Sequence, residues 1–266
     1  MINNATGKTI IWDLGETLFT TSKLGVAYTI GLRHFLAYAL FDWRNPNIYP
    51  RIFDILEKMD PSDTYPHAKA TDLKGNELPV IMHKWLAGQI KEKELLISIY
   101  DYLDELDDQN YFVSAREKKL LKKAFEAMFN PETLARYTHP LASGIELLHE
   151  CSEATDKDGN PKNTLMILSN WDAVSFNLVK RQYPEIFNYF AEHHIIISGA
   201  IGLIKPHTAA FEYILNTYKL QPANCIFIDD QIVNIRAAEA CGITGLLLVN
   251  GNYAQLREQL KELSAL

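Results

Sequence analysis

Cysteine is scarce in this chain: Cys151, Cys225 and Cys241 are the only three among 266 residues. An odd count without metal-ligand spacing excludes a disulfide framework and a zinc-type cluster. The apolar neighbours of Cys225 and Cys241 predict inert buried thiols. A basic stripe is missing too. Lys and Arg number 26 against 33 Asp and Glu, a formal charge of −7, so no nucleic-acid partner is expected. No apolar run approaches membrane-spanning length, so no membrane partner is expected either. Residues Met1 to Lys8 lack a charged segment followed by a long apolar core, which predicts no secretory signal and a cytoplasmic location. There is no internal repeat and no low-complexity segment.

What the chain does have is 47% hydrophobic residues, enough for one large α/β domain and a smaller one. Short apolar runs recur, and each leads to a polar residue that can handle a phosphate. Thr9-Ile10-Ile11-Trp12 ends at Asp13, and Leu165-Met166-Ile167-Leu168 ends at Ser169-Asn170. Ile195-Ile196-Ile197 is followed after a turn by Lys205-Pro206, and Ile226-Phe227-Ile228 ends at Asp229-Asp230. Such runs are what strands covered on both faces of a parallel sheet look like. Strands are expected at residues 9–13, 164–168, 194–198, 225–229 and 245–249.

Helical patterns follow most of these strands. Phe211, Ile214, Leu215 and Tyr218 keep helical spacing after Pro206, which would open that helix. Ile232, Ile235 and Ala238 lead to Gly242, a C′ glycine. Leu256, Leu260 and Leu263 mark a last helix capped by Asn252 with Gln255. Strands alternating with helices indicate a parallel sheet with right-handed crossovers. Open sheets of this kind bind ligands beyond the carboxyl ends of their strands.

About 150 residues separate the first strand from the second, far more than an ordinary crossover. They look helical. Ser114 to Glu117 form a capping box opening a helix that Asn130-Pro131 should stop. Leu86 through Leu106 suggests another. A helical insert placed after the first strand can cover the site. Its aromatics Tyr28, Phe35, Tyr38, Phe41, Trp43 and Trp85 are candidates for a pocket lining or for helix packing. Residues 156–162 and 45–49 read as surface loops.

Each polar group admits two readings. Asp13, followed two residues later by Gly15, which adds no bulk, is a candidate nucleophile or simply a turn cap. Asp229-Asp230 would repel each other at a buried sheet end unless a cation offsets them. Mg²⁺, which takes oxygen ligands, suits them; the alternative is a solvated pair at a helix N-terminus. Ser169-Asn170 can present a hydroxyl and backbone N–H groups to phosphate, or merely cap a helix. Lys205 offers a point charge to phosphate, or sits in a surface turn.

In order and strand context, the segments Ile-Ile-Trp-Asp13-Leu-Gly-Glu-Thr17, Ile-Leu-Ser169-Asn170, Gly202-Leu-Ile-Lys205-Pro206 and Phe-Ile-Asp229-Asp230-Gln-Ile-Val-Asn234 resemble the haloacid dehalogenase-like hydrolase superfamily. The branch with a helical cap inserted after the first motif is the most similar. The resemblance implies an α/β fold: a Rossmann-like parallel sheet core at residues 1–20 and 138–266 and a helical cap at 21–137. It implies that Asp13 is the nucleophile and a Mg²⁺ ligand, with the Gly15 carbonyl and Asp230 as further ligands and Asp229 bonding the ion or its waters. Ser169, the Asn170 backbone and Lys205 would hold the phosphoryl group. Thr17 would support the first loop and Asn234 the outer shell of the metal. The substrate would be a small phosphorylated metabolite, with a sugar phosphate among the candidates.

One position departs from the pattern. Most phosphatases of the superfamily carry a second Asp two residues after the nucleophile, where this chain has Gly15. General acid–base help is worth roughly 10²–10⁴-fold, so slow turnover or a preference for good leaving groups is expected. Glu16 is adjacent, but consecutive side chains diverge, and no acid role is assigned to it. His34, His67 and His83 lie in the expected cap, and His207 is read as a first-turn helix residue. Two other functions stay open: a metal-free 2-haloacid dehalogenase, and a member of the fold that binds a phosphorylated ligand or partner with little catalysis.

Overall fold

In the computed structural model, residues 7–60, 69–72 and 75–266 are described. His67 and the first six residues lie outside them. Five parallel strands form the central sheet: β1 (Thr9–Trp12), β4 (Thr164–Ser169), β5 (Ile195–Ile197), β6 (Cys225–Asp229) and β7 (Thr244–Leu247), in the order β5-β4-β1-β6-β7. This is the α/β class expected from the alternating pattern. Strand β1 lies in the middle, with Ile11 opposite Met166 on one side and Phe227 on the other. The chain steps outward from β1 to β4 and β5, then returns to β6 beside β1. That reversal opens the crevice in which α/β sheets bind ligands.

Alternate side chains on each strand enter different cores. Ile10, Trp12, Ile167 and Ile228 pack with α8 (Ala142–Glu153), α9 (Ala173–Gln182) and α14 (Tyr253–Glu262). Ile11, Met166, Leu168 and Phe227 pack with α12 (Thr208–Tyr218) and α13 (Ile232–Ala240) on the opposite face. Each such buried side chain contributes roughly 1.5–3 kcal/mol. The capping signals act as expected at two helix ends. The Asn252 side chain accepts from the Gln255 amide, and Gly242 sits past α13 with φ +81°.

A two-stranded antiparallel ribbon, β2 (Phe19–Thr21) with β3 (Thr138–Pro140), connects the sheet to a helical unit. That unit comprises α1 (Lys23–Ile30), α2 (Leu32–Phe41), α3 (Tyr49–Met59), α4 (Val80–Leu86), α5 (Glu92–Asp108), α6 (Ala115–Phe129) and α7 (Pro131–Tyr137). It has a core of its own, including Ile55, Leu95, Ile99, Leu121 and Phe125. No single helix among the described residues is long and apolar enough to cross a membrane; the apolar pair α1–α2 is bent by 76°.

The segment from Leu86 to Leu106 holds the expected helix: Leu86 ends α4, the chain turns at Gly88 (φ +67°), where a Cβ would stand 2.5 Å from the Gly199 carbonyl oxygen, and α5 begins at Glu92. Several other local expectations need correction. Pro206 does not open α12; His207 takes an extended backbone and is the N-cap, and the helix begins at Thr208. Asn130-Pro131 ends α6 but at once starts α7, with Asn130 capping the Thr133 amide and Pro131 in the first turn, where it suits a helix. Tyr49 belongs to α3 rather than to the preceding loop. Cys225 is buried, but Cys241, at the C-cap of α13, is half-exposed. Of the aromatics, Tyr38 and Trp85 are core, whereas Tyr28, Phe41 and Trp43 are exposed.

Candidate active site

The polar residues that end the strands converge. Carboxylate oxygens of Asp13, Asp229 and Asp230 lie within 4.8 Å of one another. Asp13 follows β1, its amide still bonded to the Ile228 carbonyl at 2.9 Å, so its side chain is fixed at the sheet end. The loop after it is tight. The Leu14 carbonyl accepts from the amides of Leu18 and Phe19 at 2.8 Å each. Asp13, Gly15, Ser169, Asn170, Lys205, Asp230 and Asn234 line one cavity of about 150 Å³.

Lys205 is the hub rather than a surface turn. It is 1% exposed, and its Nζ donates to Asp13 Oδ1 at 2.7 Å and to Asp229 Oδ2 at 2.6 Å. Asn170 sets its position: the side-chain amide donates to the Lys205 carbonyl at 2.7 Å and accepts from the Lys205 amide at 2.8 Å. Ser169 and Asn170 do not cap the following helix. Asp172 does so, accepting from Val174 and Ser175, while Ser169 lines the cavity.

Asp229 is fully buried and is not a solvated helix-end acid. It accepts from Lys205, from the Gln231 amide at 2.8 Å and from Asn234 Nδ2 at 3.0 Å. Burial pushes its pKa upward, with Lys205 pulling against that and Asp13 reinforcing it. Burial, followed by the charges of Asp13 and Asp229, raises Asp230 to about 8. Burial also works against the Lys205 ammonium, yet the two carboxylates outweigh it and hold its pKa above the ordinary value. Three acids facing one ammonium leave an excess of negative charge that a divalent cation would offset.

The donor set fits magnesium. All candidate ligands are oxygens, and the Asn234 Oδ1 is a buried acceptor with no partner among the described residues, a place for the hydrogen of a metal-bound water. Gly15 is open; a Cβ built there meets nothing closer than Asp13 Oδ2 at 3.9 Å. Thr17 is fully buried but does not line the cavity. Its carbonyl accepts from the Tyr253 hydroxyl at 2.8 Å, so it shapes the loop through the backbone.

Other lining residues carry no motif. Glu16 lines the cavity in a left-handed conformation, φ +52°, and its carboxylate accepts from Thr20 Oγ1 at 2.8 Å. The left-handed turn redirects a side chain that ordinary alternation would turn away. Ala70, Thr71, Leu78 and Leu86 reach in from the helical unit. That unit is fastened by Thr71 Oγ1 donating to Gln231 Oε1 at 2.8 Å and Ser198 Oγ donating to the Leu86 carbonyl at 2.7 Å. His34 and His83 line no part of this cavity, and His83 is buried in α4.

Comparison with known proteins accords with the geometry. A family model described as haloacid dehalogenase-like hydrolase matches residues 8–242. The chain is 28% identical over 97 residues to bifunctional epoxide hydrolase 2 of Rattus norvegicus, a match covering 36% of this chain and 17% of that protein. The matched part therefore spans about a sixth of that relative's length. A HAD family enzyme from Bacteroides thetaiotaomicron superposes with TM-score 0.56 at 16% identity, covering 94% of this chain and 97% of that one. Its complex with magnesium and inorganic phosphate gives 0.53 at 17% identity, over 92% and 96%. The 2-haloacid dehalogenase from Pseudomonas syringae pv. Tomato DC3000 gives 0.52 at 17% identity, over 91% and 86%. At such identities the likeness is one of fold.

Proposed function

Because the chain belongs to the haloacid dehalogenase-like hydrolases, we propose that it is a magnesium-dependent phosphatase acting on a small phosphate monoester through Asp13. Residues 1–20 and 138–266 are its catalytic core and 21–137 its cap. The observation that carries this reading is the three-acid cluster within 4.8 Å, of which Asp13 and Asp230 face the same cavity as Ser169, Asn170 and Lys205 while Asp229 is buried behind them. Asp13, Asp230, the Gly15 carbonyl and Asp229 would hold the ion. When bound, magnesium offsets the repulsion between the carboxylates and the substrate's phosphoryl oxygens.

The residues divide the remaining work. Lys205 steadies one Asp13 oxygen, and Lys205, the Ser169 hydroxyl and the Asn170 backbone N–H hold the phosphoryl oxygens. The Asp13 carboxylate forms a bond to phosphorus as the ester P–O bond breaks, and the alcohol oxygen leaves with the bonding pair. Water then attacks the aspartyl-phosphate, the P–O bond to Asp13 breaks, and inorganic phosphate is released. With glycine at position 15, the leaving oxygen takes its proton from solvent, and the attacking water gives one up to it. Such a site turns over slowly or prefers acidic alcohols.

Metal-free dehalogenation is the poorer reading. A departing halide needs no cation, and uncompensated acids would repel an anionic haloacid. The test is phosphate release from p-nitrophenyl phosphate, expected with magnesium, lost in chelator, and lowered at least about 10⁴-fold in Asp13→Asn. Chloride release from 2-chloropropionate in chelator, with no phosphate release under any condition, would overturn it.

A further inference from the structure

Beside the catalytic cavity lies a second one of about 610 Å³. Glu16, Thr71, Leu78 and Gln231 line both, so the two adjoin at that neck, where Thr71 bonds Gln231 at 2.8 Å. Away from the neck Thr21, Lys23, Asn47 and Asp72 contribute polar groups, but most of the wall is hydrocarbon. Val26 and Ile30 come from α1, Phe35 from α2, Ile52 from α3, and Ala124 and Met128 from α6. These are residues of the helical unit's own core or packed against it. Side chains of five helices (α1, α2, α3, α6 and α7) line this open-sided volume, which is in the range that holds a drug-sized ligand.

We propose that the substrate is an amphiphilic phosphate monoester, its phosphate at Asp13 and its hydrocarbon group through the neck into this chamber. The inference rests on the phosphatase reading and specifies what that site accepts. A sugar suits the apolar part poorly, because burying hydroxyls against Val26, Ile30 and Ile52 leaves them without hydrogen-bond partners, and only the few polar residues of the wall could serve them. A hydrocarbon gains from the same wall. Each methylene removed from water lowers KM roughly three- to fourfold. Met128 and Phe35 suit the role, since an unbranched thioether and a half-buried ring adapt to varied hydrocarbon shapes.

The experiment is a series of n-alkyl phosphates from methyl to dodecyl, kept below their micelle concentrations, with glucose 6-phosphate as the sugar comparison. KM should fall by that factor per methylene until the chamber is full, then level off, and the sugar phosphate should rank with the shortest esters. Ala124→Phe, checked for folding by circular dichroism, should bring the plateau to a shorter chain length. A flat series, or a preference for the sugar phosphate, would overturn the inference while leaving the phosphatase reading intact. The converse is read by calorimetry of decyl phosphate binding to the magnesium-loaded protein. Tight binding with a negative heat-capacity change but no turnover would sustain the chamber and sink the phosphatase reading. No binding would sink the chamber.

Discussion

The catalytic cavity and the chamber beside it share four residues at their neck but are built differently. The smaller is held by the ends of strands, its charges locked by short bonds such as Lys205 to Asp13 and Asp229. The larger is walled mainly by apolar side chains from helices, with a few polar residues such as Lys23, Asn47 and Asp72 among them. Rigid strand ends keep reacting groups within fractions of an ångström, which chemistry demands. A hydrocarbon wall is tolerant, because apolar contact has no direction. Reaction and selection are therefore separable, and substitutions should affect one without the other.

The largest effect should come from Gly15→Asp, which supplies the missing acid and base. Position 15 has room, with Asp13 Oδ2 at 3.9 Å the nearest atom to a new Cβ. Turnover of alkyl phosphates should rise by roughly 10²–10⁴-fold, equally for short and long chains, because the change lies outside the chamber. A rise confined to long chains would show that the two cavities are not independent. No rise, in a folded variant that still binds magnesium, would show that the site lacks more than an acid.

Lys205→Met breaks the comparison from the other side. Removing one partner of a buried ion pair costs about 3–5 kcal/mol, because the remaining charges stay uncompensated. Here Asp13 and Asp229 would face each other with the ammonium gone. Urea unfolding in chelator should show that loss, and magnesium should restore more stability to the variant than to the parent protein. Unchanged stability in chelator would mean that the acids take up protons instead of repelling.

The same contrast explains what was legible in the sequence. Strands covered on both faces must be apolar without interruption, so Asp13, Ser169 and Asp229-Asp230 stand out at their ends. The sheet and the polar lining of the catalytic cavity were readable on that account. The ribbon β2–β3 was not, because three residues per strand are too few to display alternation. Thr71, Leu78 and Gln231 were invisible because ordinary residue types acquire a role only when the fold joins distant segments. Glu117, read as half of a capping box, is 1% exposed and pairs with Arg51 at 3.0 Å. Its amide does bond Ser114, while its carboxylate accepts from the Val113 amide, one residue earlier than the box requires. Of the chamber, the sequence named only Phe35 as a candidate lining residue, since Val26, Ile30 and Met128 follow the pattern of any core-facing helix.

The smallest effect concerns acid. His83, buried in α4, has its pKa lowered to about 4, chiefly by burial and then by the charge of His207; Lys69 pushes the same way, while a Leu78 backbone bond and Glu77 oppose. The unfolded chain protonates His83 near pH 6.5. Between that value and about 4 the unfolded state holds more protons, so the stability due to a neutral His83 is present above pH 6.5 and lost as pH falls toward 4. The loss is at most about 3 kcal/mol. His34 and His194 are depressed in the same direction and add to the slope. Asp230, raised to about 8, gains stability as pH falls over the same range, so His83 is read by difference: relative to His83→Gln, the urea midpoint of the parent protein should fall from pH 7 to 5. Alkyl phosphate KM should rise with it if acid loosens the helical wall, while turnover of methyl phosphate at saturation follows the strand-end groups alone. Equal pH slopes for parent and variant would place the acid sensitivity in the sheet and not in the helices that enclose the chamber.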